Sequence, residues 1–188
     1  VTGEKLGAYA EYVCLAQDAK LVIKPTNLTF EEAASIPFGA TAALYFLRDI
    51  AKLQPRQQIL IIGASGGVGV YAVQLAKYYG AQVTGVCSTA NLELVKSLGA
   101  DKVIDYTQQD VTQNGETYDV IFDMVPGQAS LSRYQVSLKP NGLYLAGAGG
   151  LKEFVQMAWT SITGGKKVIA GMAPDRREDL VFLKGLIE

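Results

Sequence analysis

The sequence predicts an α/β protein built on a doubly wound parallel sheet, and three observations support this fold class. Segments with strand and helix patterns alternate over most of the chain. The apolar run Ile59–Ile62 leads into a glycine cluster, which opens an amphipathic segment. The chain has 188 residues, 49% of them hydrophobic, enough for one full domain and a fragment of another. Strand–helix units of this length require helices on both faces of a parallel sheet.

The N-terminal segment lacks this alternation. Tyr9–Val13 and Leu21–Ile23 predict two short antiparallel strands. Thr29, followed three residues later by Glu32, forms a capping box that opens a helix, and Pro37 is expected to end that helix at Ile36. A second helix is then predicted over Ala40–Ala51.

The elements after the glycine cluster follow in regular order. A helix is predicted from apolar residues at helical spacing between Val68 and Tyr79. The further strands are predicted at Gln82–Cys87, Lys102–Asp105, Tyr118–Val125, Leu143–Ala148 and Lys167–Met172. The further helices are predicted at Leu92–Leu98, Gly127–Leu138, Leu151–Thr163 and Arg176–Ile187.

The glycine cluster has the pattern of a dinucleotide-binding turn. From Ala64 to Gly69 it reads A-x-G-x-x-G, with alanine in place of the usual first glycine. Such a turn brings the backbone close to a pyrophosphate and directs helix N-terminal amides at it. We therefore predict cofactor contacts here; the alternative is a tight turn between a core strand and a core helix. The candidate residues are Ser65, Gly66, Gly67 and Val68.

Composition excludes several classes of function. A net charge of −1 without a basic run argues against nucleic-acid binding. The uncharged stretch from Ile59 to Ala76 contains the glycine cluster, which argues against a membrane span. The chain has no histidine, and its two cysteines, Cys14 and Cys87, lie far apart, so no zinc site is expected. Isolated thiols without a signal-peptide pattern favour the cytoplasm.

Several motifs occur together along the chain: Gly7–Tyr12, Leu28–Ala34, Ile36–Ala43, Ala64–Gly69, Cys87–Thr89, Leu98–Asp101, Val103–Tyr106 and Gly164–Ile169. In order and spacing they resemble the medium-chain dehydrogenase/reductase superfamily, and within it the zinc-free quinone-oxidoreductase branch, which includes members labelled zinc-type alcohol dehydrogenase-like. The resemblance implies a Rossmann dinucleotide-binding domain over residues 26–188. It also implies that residues 1–25 are a remnant of an N-terminal GroES-like β-barrel that belongs to a substrate domain.

The resemblance also implies roles for residues near the nicotinamide. Thr41 is expected close to the ring, with an ordinary helix N-cap as the alternative. Val125 is expected to contact the cofactor. Phe38 occupies the position where zinc-dependent relatives have a cysteine ligand, so no zinc is expected. A turn approaching the ring is expected after the fifth strand, although a strand end that needs glycine is equally compatible. The residues of this turn are Gly147, Ala148 and Gly149.

Four residues are expected at the adenosine end. An NAD site requires a carboxylate about 20 residues past the glycines, whereas this chain has Ser88 there. Ser88, Thr89 and Asn91 can bind a 2′-phosphate, and Tyr106 resembles a family position near that phosphate. The alternative is that Ser88 and Thr89 cap the next helix. Ala90 replaces an arginine common in relatives, which narrows the expected preference for NADPH over NADH.

The sequence thus predicts an NADPH-binding domain of a zinc-independent oxidoreductase that transfers a hydride to a quinone or an α,β-unsaturated carbonyl compound or aldehyde. Two alternatives stay open: a non-catalytic dinucleotide-binding or regulatory protein, and the enoyl-reductase module of a larger synthase. With only two apparent barrel strands, the chain itself is expected to bind cofactor without turnover. The apolar strand Lys167–Met172 is expected at a sheet edge and predicts a homodimer.

Overall fold

A computed structural model describes residues 10–16, 19–125, 131–147 and 165–188. The strands are β1 (Gln58–Ile62), β2 (Gln82–Cys87), β3 (Lys102–Asp105), β4 (Tyr118–Asp123), β5 (Leu138–Ala146) and β6 (Lys167–Ala170). The α-helices are α1 (Phe30–Leu44), α2 (Gly69–Tyr78), α3 (Leu92–Ser97), α4 (Leu131–Tyr134) and α5 (Arg177–Ile187). A π-helical segment, Tyr45–Ile50, continues α1, and 3₁₀ turns lie at Thr89–Asn91, Val111–Gln113 and Gln135–Ser137.

All six described strands form one parallel sheet in the order β3-β2-β1-β4-β5-β6. This is the doubly wound order, in which ligands bind at the carboxyl edge where the strand order reverses, next to β1. The predicted fold class is confirmed. Gly147 follows β5 and residues 124–125 follow β4, so both segments reach that same edge.

Both faces of the sheet are buried, as the central strand shows. In β1, Ile59 and Ile61 belong to one apolar core, and Leu60 and Ile62 belong to the other. The first core includes residues of α1, α2 and α5, so these helices cover one face. Alternate side chains of a strand point to opposite faces, so a strand buried on both faces is apolar throughout.

The capping box is confirmed. Thr29 accepts a hydrogen bond from the Glu32 amide at 3.2 Å, and the Thr29 amide donates to the Glu32 carboxylate at 2.8 Å. The predicted helix end at Ile36 is wrong, because α1 continues through Pro37. Ile36 and Ala40, on either side of Pro37, are buried, and α1 packs along α2. This packing holds the helix together where one backbone hydrogen bond is missing.

The two antiparallel strands predicted near the N-terminus do not form within residues 10–16 and 19–25. Tyr12 and Ile23 are 90% and 81% exposed. Strands need hydrogen-bonded partner strands, and among the described residues this segment pairs with none. The assignment of residues 1–25 to a barrel remnant stays a prediction.

The remaining differences are at element ends. β4 ends at Asp123 and β6 at Ala170, each two residues earlier than predicted. β5 begins at Leu138, a residue that the sequence assigns to the end of a helix. Tyr118 of β4 pairs with Leu138, but Val120 pairs with Leu143, so the register of β5 shifts between these two pairs. Asn141, which has a φ of 61°, lies within this irregular part of β5. The predicted helix Gly127–Leu138 lies partly outside the described residues. Within 131–138, Leu131–Tyr134 is α-helical and Gln135–Ser137 forms a 3₁₀ turn, so the α-helix ends four residues earlier than predicted. The predicted helix Leu151–Thr163 lies outside the described residues.

Candidate functional site

The glycine turn is held against the end of β2. Gly63 has a φ of 77°, which favours glycine. The amides of Gly63 and Ala64 both donate to the carbonyl oxygen of Val86, at 3.2 and 2.9 Å. The Gly66 amide donates back to the Gly63 carbonyl at 2.9 Å and closes the turn.

The alanine in the fingerprint has a structural explanation. Ala64 is fully buried and faces β2, where a Cβ atom at Gly85 would lie 3.1 Å from the Ala64 Cβ. The positive φ that the turn needs falls on Gly63 instead. Ala64 can therefore carry a methyl group without disturbing the turn, and the departure from the usual pattern does not weaken the site.

Gly67 and Gly69 differ in what surrounds them. A Cβ atom at Gly69 would lie 2.1 Å from the Gly63 carbonyl oxygen, so only glycine fits. No described atom lies within 4 Å of a Cβ atom placed at Gly67. The amides of Gly67 and Val68 have no hydrogen-bond acceptor among the described residues. Two amide donors without an acceptor among the described residues, at the start of α2 and beside the open space at Gly67, suit the pyrophosphate of a dinucleotide.

Helix α1 packs directly on this turn through Gly39, which sequence reasoning missed. A Cβ atom there would lie 2.0 Å from the Gly67 carbonyl oxygen and 2.9 Å from the Tyr71 ring. Thr41 follows in the middle of α1, so its alternative role as a helix N-cap is wrong. Its hydroxyl donates to the Pro37 carbonyl within the same helix. The Thr41 oxygen is thereby limited to accepting hydrogen bonds from other groups.

The ends of β4 and β5 lie beside the turn. A Cβ atom at Gly63 would lie 3.1 Å from Cγ2 of Val125. The Gly147 amide donates to the Asp123 carbonyl at 3.0 Å, and the Val125 amide donates to the Asp123 carboxylate at 2.9 Å. The structure therefore brings Val125 and Gly147 to the switch point with the glycine turn. Ala148 and Gly149 lie outside the described residues.

Ser88, Thr89 and Asn91 lie at the end of β2. The Asn91 side chain donates to the Ser88 hydroxyl oxygen at 3.2 Å. Ser88 is the N-cap residue of the 3₁₀ turn Thr89–Asn91, but its side chain makes no capping hydrogen bond. The N-cap of α3 is Asn91, so side-chain capping of a helix by Ser88 or Thr89 is not seen. Thr89 donates instead to the carboxylate of Asp105 on the neighbouring strand, at 2.5 Å.

Tyr106 projects from the same edge. Its side chain is 64% exposed, and its amide donates to the Cys87 carbonyl at 3.1 Å. The backbone of Tyr106 is thus fixed next to β2, while the ring is free to meet a ligand. Asp105 was not among the sequence candidates. The sequence feature that could have indicated Asp105 is the threonine two residues after it, because a carboxylate that accepts from the amide two residues later is typical of a turn.

The described residues contain no group of three or more His, Cys, Asp or Glu side chains that could hold a metal ion. Burial raises the pKa of the Cys87 thiol, with the nearby Asp105 charge as a second cause, which makes Cys87 a weaker metal ligand. Among the helices described, none is long and apolar enough to cross a membrane.

Comparisons with known proteins agree with this geometry. Residues 67–180 match the family model of zinc-binding dehydrogenases. A chloroplastic quinone-oxidoreductase homolog from Spinacia oleracea is 35% identical over 170 residues, covering 86% of this chain and 51% of that protein. A chloroplastic NADPH-dependent alkenal/one oxidoreductase from Arabidopsis thaliana is 39% identical over 125 residues, covering 65% of this chain and 32% of that protein.

Among solved structures, the quinone oxidoreductase from Coxiella burnetii matches with a TM-score of 0.83 and 28% sequence identity, covering 96% of this chain and 56% of that one. The chain thus spans about half the length, or less, of these relatives. It belongs to the medium-chain dehydrogenase/reductase superfamily, in the quinone-oxidoreductase-like branch.

Proposed function

We propose that this chain is the NADPH-binding part of a zinc-independent oxidoreductase that transfers a hydride to a quinone or an α,β-unsaturated carbonyl compound. The observation that carries the proposal is the glycine turn, where the amides of Gly67 and Val68 have no acceptor among the described residues and the space at Gly67 is open. An anion is the natural acceptor for two such amides at the start of a ten-residue helix. The names of the relatives supply the substrate class.

The proposed roles of the remaining site residues follow from their positions. The turn fixes the pyrophosphate, so the adenosine end lies over β2 and β3, near Ser88 and Tyr106. The nicotinamide end lies over β4, near Val125 and Gly147. A bound reduced nicotinamide supplies the hydride. Thr41, limited to accepting, suits an amide donor such as the carboxamide group of the ring.

NADPH is proposed over NADH because Ser88 provides a hydroxyl where an NAD site has a carboxylate. Ser88 accepts from Asn91 and keeps its own hydrogen free to donate to a phosphate oxygen. The Arabidopsis relative, which is named as NADPH-dependent, supports the same choice. Because Ala90 provides no guanidinium group to bind the 2′-phosphate, we expect the preference for NADPH over NADH to be modest.

Calorimetric titration of the full-length protein with NADPH and NADH tests the cofactor assignment. Measuring hydride transfer to a panel of quinones and enals tests the reaction. Binding with a lower dissociation constant for NADPH, followed by turnover of one substrate class, is the expected result. Binding without any turnover would favour a regulatory dinucleotide-binding protein, and turnover restricted to carrier-bound enoyl groups would favour a synthase module. Absence of binding would contradict the proposal.

Zinc independence is proposed because the residues at the site do not fit a zinc ion. Phe38 stands at the ligand-like position and is 79% exposed on α1, and a phenyl ring cannot coordinate zinc. Cys14 and Cys87 are both free thiols, which fits a reducing compartment, and we propose the cytoplasm. Fluorescence microscopy of the tagged full-length protein tests this location.

A homodimer is proposed through β6. Within the described residues, β6 pairs only with β5 and forms one edge of the sheet. A strand at the edge of a sheet can pair with the same strand of a second copy. Light scattering over a range of concentrations is expected to give a dimer, and Ile169→Pro is expected to give a monomer that still binds cofactor. A monomer at every concentration, or a dimer that survives Ile169→Pro, would contradict this interface.

A further inference from the structure

A buried carboxylate lies directly beneath the proposed adenosine end. Asp105, the last residue of β3, is only 8% exposed and is paired in register with Cys87 at the end of β2. It accepts hydrogen bonds from the Thr89 hydroxyl at 2.5 Å, the Thr107 hydroxyl at 2.7 Å and the Thr107 amide at 2.9 Å. Asp105 is thus held in place by two threonines from two different loops.

This arrangement fixes the direction of the threonine hydroxyls. The hydrogen bonds from Thr89 and then Thr107 hold the pKa of Asp105 below its ordinary value, so the carboxylate stays ionised at neutral pH. An ionised carboxylate only accepts, and a hydroxyl has a single hydrogen to give. Thr89 therefore directs its hydrogen towards Asp105 and presents only lone pairs to a ligand.

The Ser88 hydroxyl has the opposite hydrogen-bonding role and can act as a donor to a ligand. Its oxygen accepts from Asn91 at 3.2 Å, which leaves its hydrogen available to a ligand. Both hydroxyls lie next to the glycine turn, because the Val86 carbonyl, two residues before Ser88, holds the Gly63 and Ala64 amides. One donor and one acceptor therefore stand side by side where the ribose 2′ position is expected.

A 2′-hydroxyl and a 2′-phosphate respond differently to this pair. A ribose hydroxyl can donate its hydrogen to the Thr89 oxygen. A 2′-phosphate is mostly a dianion at neutral pH, so it has almost no hydrogen to donate and is repelled by the Thr89 lone pairs and by the nearby Asp105 carboxylate. We propose that Asp105 is a positioning residue that narrows the preference for NADPH over NADH by turning the Thr89 hydroxyl into an acceptor. This inference rests on the proposed dinucleotide site and deepens it.

Asp105→Asn tests the inference because the orientation of the new amide is determined by its neighbours. The asparagine oxygen must remain on the side of the Thr107 amide, which donates to it. The NH₂ group then faces Thr89 and donates to its oxygen, so the Thr89 hydrogen is released from residue 105. A charged phosphate is a stronger acceptor for that hydrogen than the Thr107 hydroxyl oxygen, which lies 3.1 Å from the Thr89 oxygen. We expect the ratio of the dissociation constants, NADH over NADPH, to rise about tenfold, the effect of one hydrogen bond to a charged group.

Two further variants of the full-length protein separate positioning from mere structure. Thr89→Val removes the hydroxyl, and we expect it to weaken NADH binding several-fold while leaving NADPH binding unchanged or tighter. In the double variant Asp105→Asn/Thr89→Val, the Asp105 substitution should no longer change the ratio. Thr112→Val is the matched control, because Thr112 closes the same kind of turn on Asp110, through its amide at 2.9 Å and its hydroxyl at 2.8 Å, and is not a proposed site residue, so its ratio should equal that of the wild type.

The titrations have distinct outcomes. Equal weakening of both cofactors in Asp105→Asn would show a purely structural role and overturn the inference. An unchanged ratio in Thr89→Val would overturn it as well, even if Asp105→Asn failed to fold. Failure of the wild type to bind either cofactor would instead refute the proposed function itself.

Discussion

The two halves of the candidate site are specified in different ways. The turn at Gly63–Gly69 is determined by the backbone, through a positive φ at Gly63 and a contact at Gly69 that no side chain fits. The adenosine end is determined by side-chain hydrogen bonds, above all that of Thr89 with Asp105. Under the proposed function, we therefore expect the first region to determine whether a dinucleotide binds, and the second to determine which dinucleotide is preferred.

The difference also concerns tolerance to substitution. Backbone atoms cannot move aside for a new Cβ atom without shifting the strand and helix that carry them. Exposed hydroxyls such as that of Thr89 can be exchanged with little effect on folding. Substitutions at a tightly packed glycine of the turn, such as Gly69, should therefore change stability and affinity together, and substitutions at the adenosine end should change only the ratio of affinities.

The largest effect is expected for Gly69→Ala. Its methyl group would lie 2.1 Å from the Gly63 oxygen and 2.7 Å from the Ala64 carbonyl carbon, so the turn must open. We expect a loss of about 3 kcal/mol in the free energy of unfolding, the upper end for overpacking, measured by urea denaturation. Gly185→Ala in α5, where a Cβ atom meets nothing within 4 Å, is the control and should not destabilise the protein. Equal midpoints for the two variants would contradict the steric argument.

Gly67→Ala should separate binding from folding. No described atom lies within 4 Å of the added methyl group, so the urea midpoint should stay that of the wild type. The methyl group would occupy the space proposed for the pyrophosphate and keep it from the Gly67 and Val68 amides. We expect both NADPH and NADH to bind roughly 10- to 100-fold more weakly, with an unchanged ratio, because hydrogen bonds to a charged group are lost. Unchanged affinities would place the pyrophosphate elsewhere.

Ser88→Asp should change the ratio alone. Its carboxylate would repel a 2′-phosphate and accept from a 2′-hydroxyl, so NADH should become the preferred cofactor, with a change on the order of tenfold in the ratio. Ala90→Arg should widen the preference for NADPH, and Ala90→Gln, similar in length but uncharged, serves as its control. Calorimetric titration of each variant with NADPH and with NADH gives the two dissociation constants and their ratio. A Ser88→Asp variant that still prefers NADPH would remove Ser88 from the ribose pocket.

The sequence predicted the parts of this molecule that depend on local pattern. β2 and β3 begin and end where the alternation of apolar residues and the turn residues placed them. The glycine turn was found for the same reason, since its chemistry lies within seven consecutive positions, Gly63–Gly69.

What the sequence missed depends on contacts between distant segments. The helix through Pro37 continues because α2 packs beside it, which local rules for proline do not include. Asp105 reaches Thr89 only because β2 and β3 pair with Cys87 opposite Asp105. Gly39 could be understood only once α1 was seen against the carbonyl of Gly67.

The smallest effect is expected from removing metal. A zinc ion would need thiolate, imidazole or carboxylate ligands in a tetrahedral cluster. The chain has no histidine, and the raised pKa of Cys87 keeps that thiol protonated at neutral pH. Phe38, which the family resemblance places where zinc-dependent relatives have a cysteine ligand, offers only a phenyl ring. Dialysis against a chelator should therefore leave the melting temperature and the NADPH dissociation constant unchanged within experimental error. Stoichiometric zinc retained after dialysis would contradict the proposed zinc-independent chemistry. Phe38→Cys is the companion variant. One added thiol on α1 still provides too few ligands for zinc, so this variant should also retain no zinc after dialysis. Zinc retention by Phe38→Cys, but not by the wild type, would reveal further zinc ligands near residue 38.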